Sequence, residues 1–244
     1  MLDPAFRSLP YTDAFTLRME VQFDKTLEVL MSDDLLNYPA AQDYITSLVP
    51  PREAELMEME AYAEEHDFPI IGPACGYYCY QLARMIKATS IFELGSGYGY
   101  STAWFAKAVK ENSGGVVHHT VWEEELSESA HRHLVKLGSA DLVQFHVSEA
   151  VEALKKTEGT FDIIFNDIDK DAYPASLPVI KEKLRSGGLL IIDNMLWHGR
   201  IFDKKDNSPA TQGVHEFTKQ ITNDPDWIVS LAPMRDGMIV AYKK

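Results

Sequence analysis

The chain predicts an α/β protein, a Rossmann-like, doubly wound, mainly parallel sheet with helices on both faces. Three observations carry this. From Ser90 onward, short apolar runs alternate with amphipathic stretches, which is the pattern of strands joined by crossover helices. Two of the runs, 161–167 (Phe-Asp-Ile-Ile-Phe-Asn-Asp) and 188–194 (Gly-Leu-Leu-Ile-Ile-Asp-Asn), are almost continuously apolar, as in strands covered on both faces. The first run, 90–94, ends in Glu93-Leu94-Gly95-Ser96-Gly97-Tyr98-Gly99, which reads as strand, glycine turn and helix start.

Taken in order, residues 52–65 place Leu56, Met59 and Tyr62 at helical spacing with glutamates between, an amphipathic helix after the Pro50-Pro51 break. Residues 68–73 are a turn-rich loop, and a helix runs from near Cys75 to Lys87. Strand 90–94 is followed by helix 101–110, strand 116–122, helix 126–137, strand 143–147 and helix 150–156. Strand 161–167 and helix 176–184 come next, with Gly187 and Gly188 ending that helix before strand 188–194. The polar segment 203–213, containing Pro209, reads as a surface loop; 214–222 is helical, and 227–231 with 238–243 form a hairpin around Arg235-Asp236-Gly237. We expect one domain over 1–244, with 1–65 as an N-terminal helical extension and 66–244 as the core.

Composition narrows the function. With a formal net charge of −14, the chain does not attract phosphate backbones, so nucleic acid is excluded as an expected partner. No apolar run approaches the ~20 residues of a membrane span, and residues 1–10 lack the apolar stretch of a secretion signal. The two cysteines, Cys75 and Cys79, lie four residues apart without His or Cys partners, and read as free buried thiols. A cytoplasmic location fits all of this.

In doubly wound sheets ligands bind beyond the carboxyl ends of the strands. Here those ends carry Glu93, Glu123, Ser148-Glu149, Asp167 and Asp193-Asn194. Glu93, just before the glycines, repels a pyrophosphate but not a cationic methionine portion, so the turn points to S-adenosylmethionine rather than NAD or ATP. Glu123 follows Glu93 by 30 residues and is suited to accept ribose hydroxyls. Ser148 and Glu149 either face an adenine edge or simply cap the next helix. If the fourth and fifth strands pair, their ends lie about 5 Å apart. Asp167, Asp193 and Asn194 then offer three oxygens to one cation, a donor set that suits Mg²⁺, with Ca²⁺ or Mn²⁺ as alternatives, and not zinc or copper. A surface acidic cluster is the competing reading.

These residues resemble the cation-dependent class I O-methyltransferases of the caffeoyl-CoA and catechol O-methyltransferase type. The resemblance runs from about Ile70 to the C-terminus. It rests on Glu93-Leu94-Gly95 with Gly99-Tyr100-Ser101, on Asp167-Ile168-Asp169-Lys170-Asp171-Ala172-Tyr173, and on Asp193-Asn194-Met195-Leu196-Trp197-His198-Gly199. It implies a seven-stranded sheet with an antiparallel last strand, in a homodimer. It also implies that Asp167, Asp193 and Asn194 hold the metal and that Lys170 is the general base, with Asp167 also facing the sulfonium. Ile71, Glu93, Gly95, Ser101, Glu123, Ala150, Asp167 and Tyr173 fall where the family contacts S-adenosylmethionine. The glycine turn departs from the family by its extra glycines, and residues 1–65 show no match.

The expected chemistry is methyl transfer to a hydroxyl of a small aromatic acceptor of the vicinal-dihydroxy kind. A cation beside Lys170 depresses the lysine's pKa and suits it to take a proton, whereas a salt bridge to Asp169 or Asp171 is its plainer role. Trp197 and His198 either wall the acceptor or, respectively, pack in the core and face solvent. His118, His119, His131 and His133 are read as structural. Two rival functions remain at this point, a nicotinamide-dependent oxidoreductase and a non-catalytic S-adenosylmethionine-binding protein.

Overall fold

The structure, a computed structural model, describes residues 38–244. The chain divides into two compact units, 1–47 and 48–244. Of the first, helix α1 (Tyr38–Ser47) is described, and expectations for residues before it lie outside the described residues. The second unit takes in 48–65, which the sequence reading assigned to the extension. Its helix α2 (Ala54–Glu65) buries Leu56, Met59 and Ala63 in the core.

Helix α3 (Gly72–Met85) precedes the alternating region: β1 (Ser90–Leu94), α4 (Tyr100–Glu111), β2 (Val116–Val121), α5 (Glu124–Lys136), β3 (Val143–Val147), α6 (Ala150–Lys156), β4 (Phe161–Asn166), α7 (Tyr173–Lys183), β5 (Leu184–Ile192), α8 (Pro209–Asn223), β6 (Trp227–Ala232) and β7 (Met238–Lys243). The seven strands form one sheet in the order β3-β2-β1-β4-β5-β7-β6. The first five pair in parallel, and β7 runs antiparallel to both β5 and β6. This is the predicted doubly wound sheet with its antiparallel last strand.

Period-two alternation divides the strands between two cores. Ile91, Val117, Ile163, Phe165 and Ile191 face α2–α5, where Met59, Cys75, Cys79, Phe105 and Leu134 are buried. Phe92, Leu94, Ile164, Leu190 and Ile192 face α6–α8, where Leu154, Leu177, Ile180, Phe217 and Ile221 are buried. Fully burying each such side chain contributes about 1.5–3 kcal/mol, so the parallel strands are held mainly by their two apolar faces. Among the described residues no helix is long and apolar enough to cross a membrane.

Two local expectations change. Gly187 and Gly188 do not end a helix; they lie within β5. Leu184 pairs with Phe161 but Leu189 pairs with Ile163, so 185–188 bulge out of the ladder. Pro209 does not sit in a loop. It opens α8 behind Ser208, whose hydroxyl accepts from the Thr211 N–H, and proline suits a first helical turn because its missing donor is not needed there.

Candidate active site

The carboxyl ends of β1–β5 open into a cavity of about 590 Å³. One end of it is made largely by backbone. The Gly95 backbone has φ +81°, and a side chain there would place a Cβ 2.6 Å from the Asp167 carbonyl oxygen, so the ends of β1 and β4 touch only because residue 95 is glycine. Gly99, with φ +91°, opens α4, and a Cβ there would meet the Cβ of Ala130 at 2.8 Å. The turn is tied to β2 by the Ser96 N–H to the Thr120 carbonyl and by the Thr120 N–H to the Ser96 hydroxyl, both 2.9 Å. Phe68, Pro69 and Ile70 pass over it, and a small recess of about 40 Å³ beneath them is lined by Ile71, Gly95, Ser101 and Asp167.

The other end is made by side chains. The Asp167 N–H donates to the Leu94 carbonyl and the Asp193 N–H to the Asn166 carbonyl, which sets the two aspartates on neighbouring strand ends. Both line the cavity, as do Asn194 and Lys170. Lys170, on a single 3₁₀ turn (Lys170–Ala172), donates from Nζ to Asp167 Oδ1 at 2.9 Å and to the Ile168 carbonyl at 3.2 Å. The ion pair the sequence reading weighed is therefore with Asp167, not with Asp169 or Asp171. Asp193 is 1% exposed and neither of its oxygens accepts a well-formed hydrogen bond; the Arg235 guanidinium stands 3.7 Å away. Burial, with Asp167 adding to it, pushes the Asp193 carboxyl up to about 7.

Trp197 and His198 line the same end. Asn194, Trp197 and His198 have φ of +58°, +47° and +52°. Asparagine tolerates this region, but tryptophan there costs about 1–2 kcal/mol and persists only when the surroundings enforce it. The Trp197 ring lies under Lys170 Nζ at 5.7 Å and the Arg200 guanidinium at 5.5 Å.

The structure does not bring every expected residue to the cavity. Ala150 lines it with Ser148 and Glu149, and the Glu149 carboxylate also caps α6 through the Val151 and Glu152 N–H groups. Glu123 stands exposed at the N-cap of α5, outside the cavity lining. The strand end that precedes it presents Val121 and Trp122 instead, because β2 stops at Val121. Glu93 is 0% exposed and faces the protein interior, where burial pushes its carboxyl up to about 7 despite the Ser101 and Thr102 hydroxyls nearby. Tyr173 is fully buried, and its hydroxyl donates to the Asp193 carbonyl at 3.0 Å. Its place is behind the strand end.

Sequence reasoning missed Trp122, 67% exposed beside Val121, and Arg235. An exposed tryptophan at a strand end was a signal available in the sequence pattern; Arg235 was read as part of a hairpin turn and, with Lys204 and Lys205, weighed as a basic patch for coenzyme A phosphates. Cys75 and Cys79 are free and buried, with burial pushing the Cys75 thiol up to about 12. His118 and His119 are buried in β2, as expected of structural histidines.

The donor set fits a hard cation. Among the described residues no three His, Cys, Asp or Glu side chains converge as metal ligands. Two aspartates and one asparagine line one cavity end, however, and the buried Asp193 oxygens lack hydrogen-bond donors. An anionic, oxygen-only set of this kind is suited to Mg²⁺, Ca²⁺ or Mn²⁺.

The model of a protein family described as O-methyltransferase matches residues 51–244, nearly the whole of the 48–244 unit. The chain belongs to the O-methyltransferase family. Its activity class is S-adenosylmethionine-dependent O-methyl transfer, which replaces the nicotinamide reading. It is 27% identical over 218 residues to a catechol O-methyltransferase of Niastella koreensis, covering 85% of this chain and 98% of that protein. It is 28% identical over 231 residues to caffeoyl-CoA O-methyltransferase 1 of Arabidopsis thaliana, covering 88% of this chain and 86% of that protein. The O-methyltransferase of Bacillus cereus solved in complex with SAH superposes with a TM-score of 0.76 at 26% identity, over 84% of this chain and 97% of that one. TomG of Streptomyces achromogenes, an O-methyltransferase of tomaymycin synthesis solved with SAM, gives 0.75 at 26% identity, over 84% of this chain and 96% of that one.

Proposed function

We propose that this O-methyltransferase moves a methyl group from S-adenosylmethionine to one hydroxyl of a vicinal-dihydroxy aromatic compound, with help from a divalent cation. The observation that carries this reading is the meeting of Asp167, Lys170, Asp193 and Asn194 on one cavity end, walled by Trp197 and His198. Asp167, Asp193 and Asn194 are the residues that would hold the cation. When bound, the sulfonium supplies a methyl group with a neutral thioether as its leaving group, and the cation lowers the pKa of a hydroxyl it holds from about 10.

The chain's own residues bind, orient and move a proton. Gly95, Ser101 and the 68–71 segment shape a narrow recess for the methionine end, with Asp167 as the carboxylate facing a positive sulfur. Trp122, Ser148 and Ala150 line the region left for the nucleoside. Trp197 offers an aromatic wall for a planar acceptor. Lys170 Nζ, as the neutral amine after its ion pair with Asp167 opens and its own proton passes to solvent, would take the acceptor's proton as the new oxygen–carbon bond forms. Phe68, Pro69 and Ile70 border the cavity together with Trp197. We place the enzyme in the cytoplasm as a homodimer, which light scattering of the purified chain tests.

The experiment is transfer of labelled methyl from S-adenosylmethionine to a panel of 3,4-dihydroxyphenyl compounds, with Mg²⁺ and then with EDTA. The expected result is turnover that EDTA abolishes and Mg²⁺ restores. Turnover that survives EDTA would overturn the cation reading, and transfer to simple monohydroxy phenols at equal rate would overturn the acceptor class.

A further inference from the structure

Asp236 lies on the turn between β6 and β7, 42 residues after Asn194, and is 7% exposed. Its two oxygens accept hydrogen bonds from different groups, and the His198 ring Nε2 stands 3.7 Å from Oδ2. Oδ1 accepts from the backbone N–H of His198 at 2.6 Å, and Oδ2 accepts from Asn194 Nδ2 at 3.2 Å. The backbone of the same turn adds two bonds: the Leu196 N–H donates to the Asp236 carbonyl at 2.7 Å, and the Met195 N–H donates to the Gly237 carbonyl at 2.9 Å. The segment from Asn194 to His198, in which Asn194, Trp197 and His198 are left-handed, is thus tied to the hairpin at four points.

A side-chain amide can turn either its oxygen or its nitrogen toward a neighbour, and only the oxygen binds a cation. Asp236 is acceptor-only when ionised, so it selects Nδ2 of Asn194 and leaves Oδ1 as the atom for other partners. We infer that Asp236 is a positioning residue: it fixes the amide orientation of Asn194 for cation binding while it holds the backbone that carries Trp197 and His198. This rests on the cation reading above, since Asn194 is one of the residues proposed to hold the metal.

The chemistry suggests a reciprocal test. Asparagine at 236 has one acceptor oxygen and cannot serve both donors. If it keeps the His198 N–H, its own NH₂ confronts Asn194 Nδ2, and the amide at 194 turns its nitrogen toward the cation site. We expect Asp236→Asn to bind Mn²⁺ about 10–100-fold more weakly than the wild type, by calorimetry or electron paramagnetic resonance with no cofactor present. The exchange N194D/D236N restores complementarity, because the new amide donates to the new carboxylate and an oxygen again faces the cation. It should recover most of the Mn²⁺ affinity. Asp236→Glu keeps two acceptor oxygens one methylene farther out and should give an intermediate loss, a milder variant should Asp236→Asn not fold.

A residue that merely braced the loop would lower the melting temperature without changing the Mn²⁺ affinity of the folded protein. Wild-type Mn²⁺ affinity in folded Asp236→Asn, or in Asp236→Glu if only that variant folds, would overturn the inference and leave the cation reading standing. No Mn²⁺ uptake by the wild-type chain would overturn both.

Discussion

The two ends of the cavity are held by different forces. At the β1–β2 end, position is set by backbone: Gly95 against the Asp167 carbonyl, Gly99 against Ala130, and the Ser96–Thr120 hydrogen bonds. At the β4–β5 end, position is set by charged and amide side chains that reach across the sheet edge, with Arg235 opposite Asp193 and Asp236 on Asn194. A backbone-built end resists added volume and is indifferent to charge at its rim. A side-chain-built end is sensitive to one atom's protonation or identity, because buried charges are costly unless partnered.

The sharpest way to break the comparison is Gly95→Ala. The positive φ and the 2.6 Å approach to the Asp167 carbonyl together should cost about 3–4 kcal/mol of stability. Binding of S-adenosylhomocysteine should fall below detection, as read by thermal unfolding and calorimetry. A variant that binds normally would show that the backbone contact does not define this end.

Next in size is Glu93→Gln. The folded carboxyl is pushed up to about 7 from an ordinary 4.5, so the native state binds the proton more readily than the unfolded chain. Stability therefore falls as pH rises from about 4.5 through 7. Glutamine removes that loss, so the variant should be more stable by about 2–3 kcal/mol at pH 8 and no more stable near pH 4. His118 and His119, held down to about 4 and about 3 by burial, act with the opposite sign. They lose stability as pH falls below 6.5, equally in both proteins, and so cancel from the difference. Urea unfolding at a series of pH values measures it.

Trp122→Ala should weaken S-adenosylhomocysteine binding about 10-fold, the scale of one lost base–aromatic contact, and Trp122→Phe should retain most of the affinity. The smallest effect belongs to Glu123→Gln. Its side chain is exposed at a helix N-cap outside the cavity lining, so affinity should change less than about twofold, in line with an exposed charge. A large loss there would return the ribose to Glu123.

The same contrast explains what could be read in advance. The alternating region, the glycine turn and the placement of Asp167, Asp193 and Asn194 follow from local pattern and from the rule for strand ends, and they were legible. Two errors came from reading glycine and proline as breaks. Gly187 and Gly188 serve a bulge that depends on β4, and Pro209 serves a helix start that depends on Ser208. Glu123 lies outside the cavity lining because β2 ends at Val121, one residue earlier than the sequence pattern implies, which leaves the carboxylate exposed and Trp122 on the lining. Glu93 and Tyr173 sit close in sequence to lining residues but are fully buried, Tyr173 behind the end of β5. Asp236 was out of reach, since its partner lies 42 residues away and only the β5–β7 pairing brings them together.

The sheet order also has a direction in time. Strands β1 to β4 and the glycine turn leave the ribosome well before β7, yet β7 lies between β5 and β6. Until it is made, β5 shows a bare edge of Leu189 to Ile192 with no neighbour on that side. An unpaired apolar edge is where chains stick to one another, and synthesis proceeds from the N-terminus. One stretch of sequence thus closes the edge and delivers Arg235 and Asp236 to the site. A chain cut short before it would keep that apolar edge of β5 unpaired and lack Arg235 and Asp236.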